Sequence, residues 1–371
     1  MTTVLVSEHT PRLDSGHGLR HYAVARALAT TGVVDVVYAV FGASEPAPEF
    51  RDPDRFRLHP VHASRGLRRA ALYARARLAG VPPGFARGIS PDLLEAVDGL
   101  ASAGRSRIVA DGPVTAAALL VWGRHPFVYN AHNIESELRA RMGDTGMGSS
   151  RALRRFEARL LARADESWMV SERDMELAAE LCPGARLRLV PNAVDVAAIE
   201  PVEPDPAARR AVFVGSLDYE PNRRALRLLL DDVMPRVWQE LPDARLRVVG
   251  RGAAEREEPD PRVELLGFVE SIREAYEGAT CVVVPLLEGG GSPLKFIEAL
   301  AYGLPVVATD AAAAGLAVQP GRHFRRANGA EELAAALVAA LRGQADSLGG
   351  EGRAFVDARY SVEAVARALE P

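Results

Sequence analysis

The sequence predicts an α/β protein made of two doubly wound, parallel-sheet domains facing a cleft. Three observations carry that prediction. Short apolar runs of strand length alternate with segments of helical period from end to end, the pattern of repeated βαβ units. At 371 residues the chain is too long for one ordinary core. Residues 191–210 (PNAVDVAAIEPVEPDPAARR), rich in proline and acids, separate two such arrays. The expected division is a first domain over 1–190, a second over 191–355, and a terminal helix over 356–371 that returns to the first.

In the first half, residues 3–7 (TVLVS) read as a strand, followed by a polar loop holding Gly16, His17 and Gly18. Residues 20–31 have the 3.6 period of a helix, with Tyr22, Val24, Ala27 and Leu28 on one stripe. Further strands are expected at 33–41 and 57–61. The Gly16–Gly18 loop lacks the third glycine of a dinucleotide fingerprint, because His21 stands there, so an NAD site is not expected. Residues 64–88 carry six arginines and no acid, interleaved with Leu67, Leu72, Tyr73 and Leu78. A solvated helix face and a weak contact with an anionic membrane surface or a phosphate-bearing acceptor both fit that stretch. Strands at 107–110 and 127–131 flank a small-residue helix over 114–122. Directly after the second stand His132 and Asn133, where open α/β sheets bind ligands. An imidazole there can bond a sugar hydroxyl, accept a proton, or simply cap the next helix. Residues 142–150 (MGDTGMGSS) form a glycine-rich segment suited to a lid. A helix over 150–164, a strand over 166–171, a helix from 172 and a strand over 188–190 complete the array.

The second half repeats the same grammar. Strand 211–214 leads to the loop Gly215, Ser216, Leu217, Asp218, and a helix starts near Pro221. Strand 245–249 leads to Gly250-Arg251-Gly252, and strand 263–266 to Gly267-Phe268. After a helix over 271–278, the apolar run 280–287 enters Glu288, Gly289, Gly290, Gly291, Ser292, Pro293, Leu294 and Lys295. Three glycines allow close backbone approach to a ligand, Ser292 can cap a helix, and Pro293 suits its first position. Such a helix start attracts phosphate. Lys295 in the first turn and Glu298 three residues on share one helix face, an ammonium for phosphates and a carboxylate for ribose hydroxyls. Lys295 is the one lysine in the chain; the other 44 of its 45 Lys and Arg residues are arginine. A compact ammonium in an arginine-using chain points to a point-charge phosphate contact. Gly303 and Pro305 end this helix, a strand follows at 306–309, and helices are expected over 331–342 and 360–369.

Hydrophobic residues make up 48% and charged residues 25%, as in ordinary globular proteins. A net charge of -4 gives no reason to expect nucleic acid. Two cysteines, Cys182 and Cys281, support neither a disulfide framework nor a multi-cysteine metal site. With no signal-like N-terminus and no apolar run near 18 residues, a cytoplasmic location is expected, with peripheral attachment to the inner membrane face as its variant.

The chain resembles the GT-B fold glycosyltransferases, and specifically the large retaining family numbered four, glycosyl transferases group 1. The residues carrying this are VPNAVD (190–195), FVGSLDYEPN (213–222), PDARLRVVG (242–250), LLGFV (265–269) and GGGSPLKFIEALAYGLPVV (289–307). The resemblance implies Rossmann-like domains and a nucleotide-diphosphate sugar, UDP- or GDP-linked, as co-substrate rather than a bound cofactor. It implies that Glu298 holds the donor ribose, that Lys295 and the loop N–H groups hold the diphosphate, and that Gly267-Phe268 meets the base. Gly215, Ser216, Asn222, Arg251, Pro293 and Leu294 join that donor site. Gly16, His17 and Gly18 face the acceptor and leaving phosphate, and His132 sits near the transferred sugar. His132, Lys295 and Glu288 are the candidate catalytic residues. In two places the pattern differs. The residue seven-intervening positions before Glu298 is Gly290, with Glu288 two places earlier, and the Arg and Lys six apart in many members are here Ser216 and Asn222.

The implied reaction moves a sugar to an acceptor hydroxyl of a small molecule, glycan or lipid-linked substrate, with retention. Cations and N–H donors can stabilise the departing diphosphate, so no metal is expected to be needed. The one literal D-x-D, Asp52-Pro53-Asp54, reads as a turn rather than a metal clasp. Rival expectations are a nucleotide-sugar 2-epimerase on the same fold and a non-catalytic nucleotide-sugar-binding subunit. Arginine and alanine richness suggests a GC-rich bacterial genome.

Overall fold

The computed structural model describes residues 2–40, 44–62, 66–102, 104, 106–142, 150–254, 260–269, 271–288, 293–344 and 346–370. Gly289, Gly290, Gly291, Ser292 and most of the glycine-rich 142–150 segment lie outside the described residues. The chain forms two compact units, Met1–Ala193 with Val365–Pro371, and Val194–Ala364. The boundary therefore falls at 193/194 rather than 190/191. The return to the first unit begins at Val365, inside the helix Val362–Leu369, and not at 356.

The first unit holds a seven-stranded sheet: β1 (Thr2–Ser7), β2 (Val34–Val40), β3 (Phe56–His62), β4 (Ser106–Asp111), β5 (Val128–Asn130), β6 (Glu166–Met169) and β7 (Leu187–Leu189). Their order is β3-β2-β1-β4-β5-β6-β7, and each described pairing is parallel. The second unit holds β8 (Arg210–Val214), β9 (Arg245–Val249), β10 (Val263–Gly267), β11 (Cys281–Val284), β12 (Val306–Ala308) and β13 (Arg325–Arg326), in the order β10-β9-β8-β11-β12-β13. Both sheets reverse direction of strand addition beside their first strand, between β1 and β4 and between β8 and β11. That crevice, at the carboxyl ends, is where doubly wound sheets hold ligands.

Apolar runs explain the central strands. Val4, Leu5 and Val6 of β1 and Cys281, Val282, Val283 and Val284 of β11 are buried, because helices cover both faces of a parallel sheet. Arg247 on β9 is an exception with a reason. Its guanidinium donates to the carbonyls of Glu274, Ala275 and Glu277, closing the end of the helix Ile272–Tyr276.

Two expectations change. The helix expected from Arg20 begins at Gly16, because Ser15 caps it: its Oγ accepts from the Gly18 N–H at 3.1 Å. Gly16, His17 and Gly18 are thus a first helical turn and not a loop. A Cβ on Gly18 would stand 1.9 Å from the Arg12 carbonyl oxygen, so the helix can start there only with glycine. The helix after the glycine run spans Leu294–Ala301 with Pro293 as its N-cap, one position earlier in the motif than the helical place expected for proline.

Asp52-Pro53-Asp54 is a turn, Asp52 Oδ1 accepting from the Asp54 N–H at 3.0 Å. Among the described residues no helix is long and apolar enough to cross a membrane.

Candidate functional site

In the first unit the polar groups converge on Asp111, the last residue of β4, which is fully buried at the switch point. His21 Nδ1 lies 2.6 Å from its Oδ2, and His132 Nε2 lies 2.8 Å from its Oδ1. Asn130 Nδ2 donates to Oδ1 at 2.7 Å, and His17 Nε2 approaches Oδ2 at 3.6 Å. Burial alone would raise the Asp111 carboxyl, but the imidazoles of His132 and His21 overrule it and hold it well below the usual range. Arg20, also buried, donates to Asn130 Oδ1 at 2.6 Å, the Val190 carbonyl at 3.0 Å and Asn192 Oδ1 at 3.1 Å. Burial lowers its pKa to about 10.

Local sequence explains how these side chains meet. His17 and His21 lie four residues apart, one turn on one face of the helix Gly16–Leu28. Asp111 ends its strand just before Gly112, whose φ of +84° turns the chain into the next helix. A Cβ at Gly112 would come within 3.3 Å of the His132 ring, so the imidazole occupies space that only glycine leaves. His132 follows β5, and the helix after it, Glu135–Met142, is fixed by Glu157, whose carboxylate accepts the N–H groups of Glu135 and Ser136. Burial pushes Glu157 to about 7, and burial with the nearby Asp111 charge pushes Glu8 to about 7. Burial and the His132 charge push His17 down to about 3, so its ring is neutral. The His17 and His132 rings meet edge to face at 4.3 Å. Beside His17 opens a cavity of about 340 Å³ lined by His9, Thr10, Arg12, Ser15, His17 and Ser44.

In the second unit a chain of contacts runs from β8 to the helix Leu294–Ala301. Lys295 Nζ donates to Asn222 Oδ1 at 2.5 Å, and Asn222 Nδ2 donates to the Ser216 carbonyl at 2.8 Å. A Cβ on Gly215 would lie 2.8 Å from the Asn222 side chain, which explains the glycine. The two positions that break the Arg/Lys pattern thus lie against the lone lysine. Burial lowers the Lys295 pKa to about 8 and raises that of Glu298 to about 7. Glu298 lies near enough to Tyr276 and Tyr302 to raise both phenols further after burial has done so. Lys295 therefore turns toward β8 and Glu298 toward the tyrosines, two separate stations on one helix.

Loops at the strand ends are tied together. Gly215 N–H bonds the Val249 carbonyl at 2.8 Å, Leu217 N–H the Arg251 carbonyl at 2.8 Å, and Gly250 N–H the Gly267 carbonyl at 2.7 Å. The Arg251 guanidinium stands 5.6 Å over the ring of Phe268, which is 57% exposed, a flat surface on which a base can stack. Glu288 is exposed and ion-paired to Arg224 at 2.6 Å.

Sequence reasoning missed Asp111, Arg20, Asn130 and Arg224, and treated His21 only as the residue that breaks a fingerprint. The available signal was positional: Asp111 ends the strand beside the switch point.

Residues 208–343 match the family described as glycosyl transferases group 1. A phosphatidyl-myo-inositol mannosyltransferase of Mycobacterium leprae is 32% identical over 147 residues, 36% of this chain and 37% of that protein. The chain thus aligns with little more than a third of that curated relative. Two solved structures resemble the whole chain. A sucrose-phosphate synthase from Thermosynechococcus elongatus has a TM-score of 0.75 at 18% identity, covering 100% of this chain and 97% of its own. Anabaena HepE, in complex with UDP and glucose, has a TM-score of 0.70 at 16% identity, covering 99% and 98%. The fold is that of the two-domain GT-B glycosyltransferases. Its second unit carries a glycosyl transferases group 1 domain.

Proposed function

We propose that the protein moves a sugar from a nucleoside-diphosphate sugar to an acceptor hydroxyl, with retention and with no metal needed for the transfer step. The observation that carries this reading is the Lys295–Asn222–Ser216 chain at the end of β8, on the helix that also presents Glu298. Lys295 is a partly desolvated cation that meets a neutral amide oxygen and, at 5.6 Å, the ring of Phe213, so an incoming diphosphate supplies an anionic partner. Glu298 accepts the ribose hydroxyls, and Phe268 with Arg251 receives the base. As the glycosyl bond breaks, the departing diphosphate oxygen takes the electron pair; the acceptor oxygen bonds the sugar and its proton passes to that phosphate oxygen, while the ammonium holds the charge that develops there. His132, oriented by Asp111, serves the transferred sugar, and Arg12, His9 and Ser15 in the neighbouring cavity serve the acceptor.

HepE was solved in complex with UDP and glucose, which supports a uridine donor; the Mycobacterium leprae relative is a phosphatidyl-myo-inositol mannosyltransferase, which supports a polyhydroxyl acceptor. The helix Leu67–Leu78 carries Leu67 at 89% and Leu78 at 91% exposure, and is the surface that suits peripheral contact with an anionic lipid layer.

The test crosses UDP and GDP with several sugars in a thermal-shift screen, then seeks products by mass spectrometry with and without cell-extract acceptors. Transfer that depends on Lys295 and Glu298 is the expected result. Rearrangement of donor alone would establish the 2-epimerase reading instead, and stabilisation with no turnover under any condition would establish a binding subunit.

A further inference from the structure

Two histidines and a carboxylate in the first unit point one donor atom each at a common point. His17, Asp111 and His132 each offer a ligand atom, and these lie within 4.8 Å of one another. His132 Nε2 lies 2.8 Å from Asp111 Oδ1, and His17 Nε2 lies 3.6 Å from Asp111 Oδ2. Donor atoms around a tetrahedral zinc, with bonds of about 2.0–2.1 Å, stand roughly 3.3 Å apart. Each nitrogen stands within about 0.5 Å of that spacing from the carboxylate oxygen it faces.

The surroundings are those of a built site. His17 Nε2 is buried and has no hydrogen-bond partner, an orphan nitrogen facing the carboxylate. The carboxylate is braced from behind by His21 at 2.6 Å and Asn130 at 2.7 Å, and Asn130 is braced by Arg20. Such an outer shell orients ligands and tunes a bound metal. Gly112 leaves the room in which the His132 ring sits. Two imidazoles and one carboxylate suit a borderline divalent cation of the zinc class better than magnesium or calcium, which take all-oxygen sites. Three protein ligands leave a fourth position for water.

We propose that His17, Asp111 and His132 bind a zinc-class divalent cation, and that its binding blocks the protein's activity by withdrawing His132. Coordination uses the Nε2 lone pair, so the hydrogen bond between His132 and Asp111 is replaced by a bond from each to the metal. The binding claim stands on the geometry alone; the blocking claim rests on the glycosyl-transfer reading.

The test uses untagged full-length protein freed of metal with a chelator and then exchanged into metal-free buffer. Zinc chloride is titrated calorimetrically, and cobalt chloride is followed by visible absorption, which reports a nitrogen- and oxygen-ligated site. One equivalent should bind. His17→Ala and His132→Ala should each abolish the cobalt spectrum, and His21→Ala should weaken affinity about 10–100-fold as an outer-shell change. His59→Ala, which removes another histidine paired with a carboxylate, Asp35 at 2.8 Å, should leave binding unchanged. Circular dichroism establishes that each variant is folded, and His17, less buried than His132's partners Asp111 and Asn130, is the variant least able to disturb the core. Absence of binding at millimolar zinc, or binding that survives His17→Ala, overturns the proposal. In the activity arm, zinc should inhibit the wild type, while His17→Ala, measured against its own zinc-free rate, escapes. Binding without inhibition would overturn the blocking claim and leave the site.

Discussion

Replacing Lys295 by methionine should destroy donor binding and at the same time stabilise the protein. Methionine keeps the length and apolar stem of the side chain and removes only the charge. In the folded chain burial has lowered the amine from 10.5 to about 8. At 1.36 kcal/mol per unit, that shift sets an upper limit of about 3 kcal/mol for the cost of keeping the cation there. Partial exposure of the side chain and the lost bond to Asn222 reduce the expected gain to about 1–2 kcal/mol. The pH dependence has a definite sign. Between about 8 and 10.5 the unfolded chain holds a proton that the native amine has released, so wild-type stability rises with pH across that window; below 8 the whole penalty is present. Lys295→Met should show no such rise and should unfold at a higher temperature at pH 7, by roughly 2–4 °C per kcal/mol. Calorimetric titration with UDP and GDP should show affinity falling by about 2–4 kcal/mol, the loss expected when a desolvated cation facing phosphate is removed. A variant less stable than wild type at pH 7, or one that binds nucleotide normally, would refute this account of Lys295.

Other substitutions test the remaining stations. Glu298→Gln should weaken nucleoside-diphosphate binding and flatten the stability profile between pH 4.5 and 7, where the wild type loses stability with rising pH because the unfolded carboxyl ionises while the native one keeps its proton; urea melts at both ends of that window measure it. Asp111→Asn should cost about 3–5 kcal/mol at neutral pH by leaving two imidazoles without their carboxylate. The Asp111 contribution is present above the ordinary carboxyl value and disappears as pH falls through the lower folded one, so the variant and wild type should converge in acid. Gly18→Ala places a Cβ against the Arg12 carbonyl and should destabilise by about 1–3 kcal/mol in chemical denaturation while weakening any acceptor held beside His17.

Much of the fold was legible because its signals are local. The runs TVLVS, AVFV and CVVV announce central strands wherever helices cover both sheet faces, and all of their residues but Thr3 and Val214 are buried. Lys295 and Glu298 do lie on one helix as their spacing predicts, but they turn in two directions, toward Asn222 and toward Tyr276 and Tyr302, which spacing alone does not show. The Asp111 cluster was not legible. His21 and Asp111 are 90 positions apart, and Arg20 and Asn192 are 172 apart. What brings them together is the sheet order, which places β1 beside β4 and the helix after β1 over their ends. Helix starts were misplaced for a smaller reason: Ser15 caps one turn earlier than the apolar period shows, and two glycines in that turn read as loop until the packing against Arg12 is known.

The two units share one strand order yet carry opposite chemistry at the same topological place. At the β1/β4 crevice a carboxylate gathers imidazoles, groups that exchange bonds with hydroxyls and position a proton. At the β8 end and the helix after β11, an ammonium stands beside amides, a group for phosphate. One sheet topology supplies a fixed crevice, and the residues that end the strands decide its ligand. Within the second unit, the resemblance expects an arginine and a lysine where Ser216 and Asn222 stand, and the structure sets Lys295 directly on Asn222. A lysine at 222 would place two ammonium groups where one now donates to an amide oxygen. Asn222→Lys should therefore lower stability in the absence of nucleotide and recover it when UDP is added, and a variant indifferent to UDP would show that phosphate charge is not what this corner of the protein is built to meet.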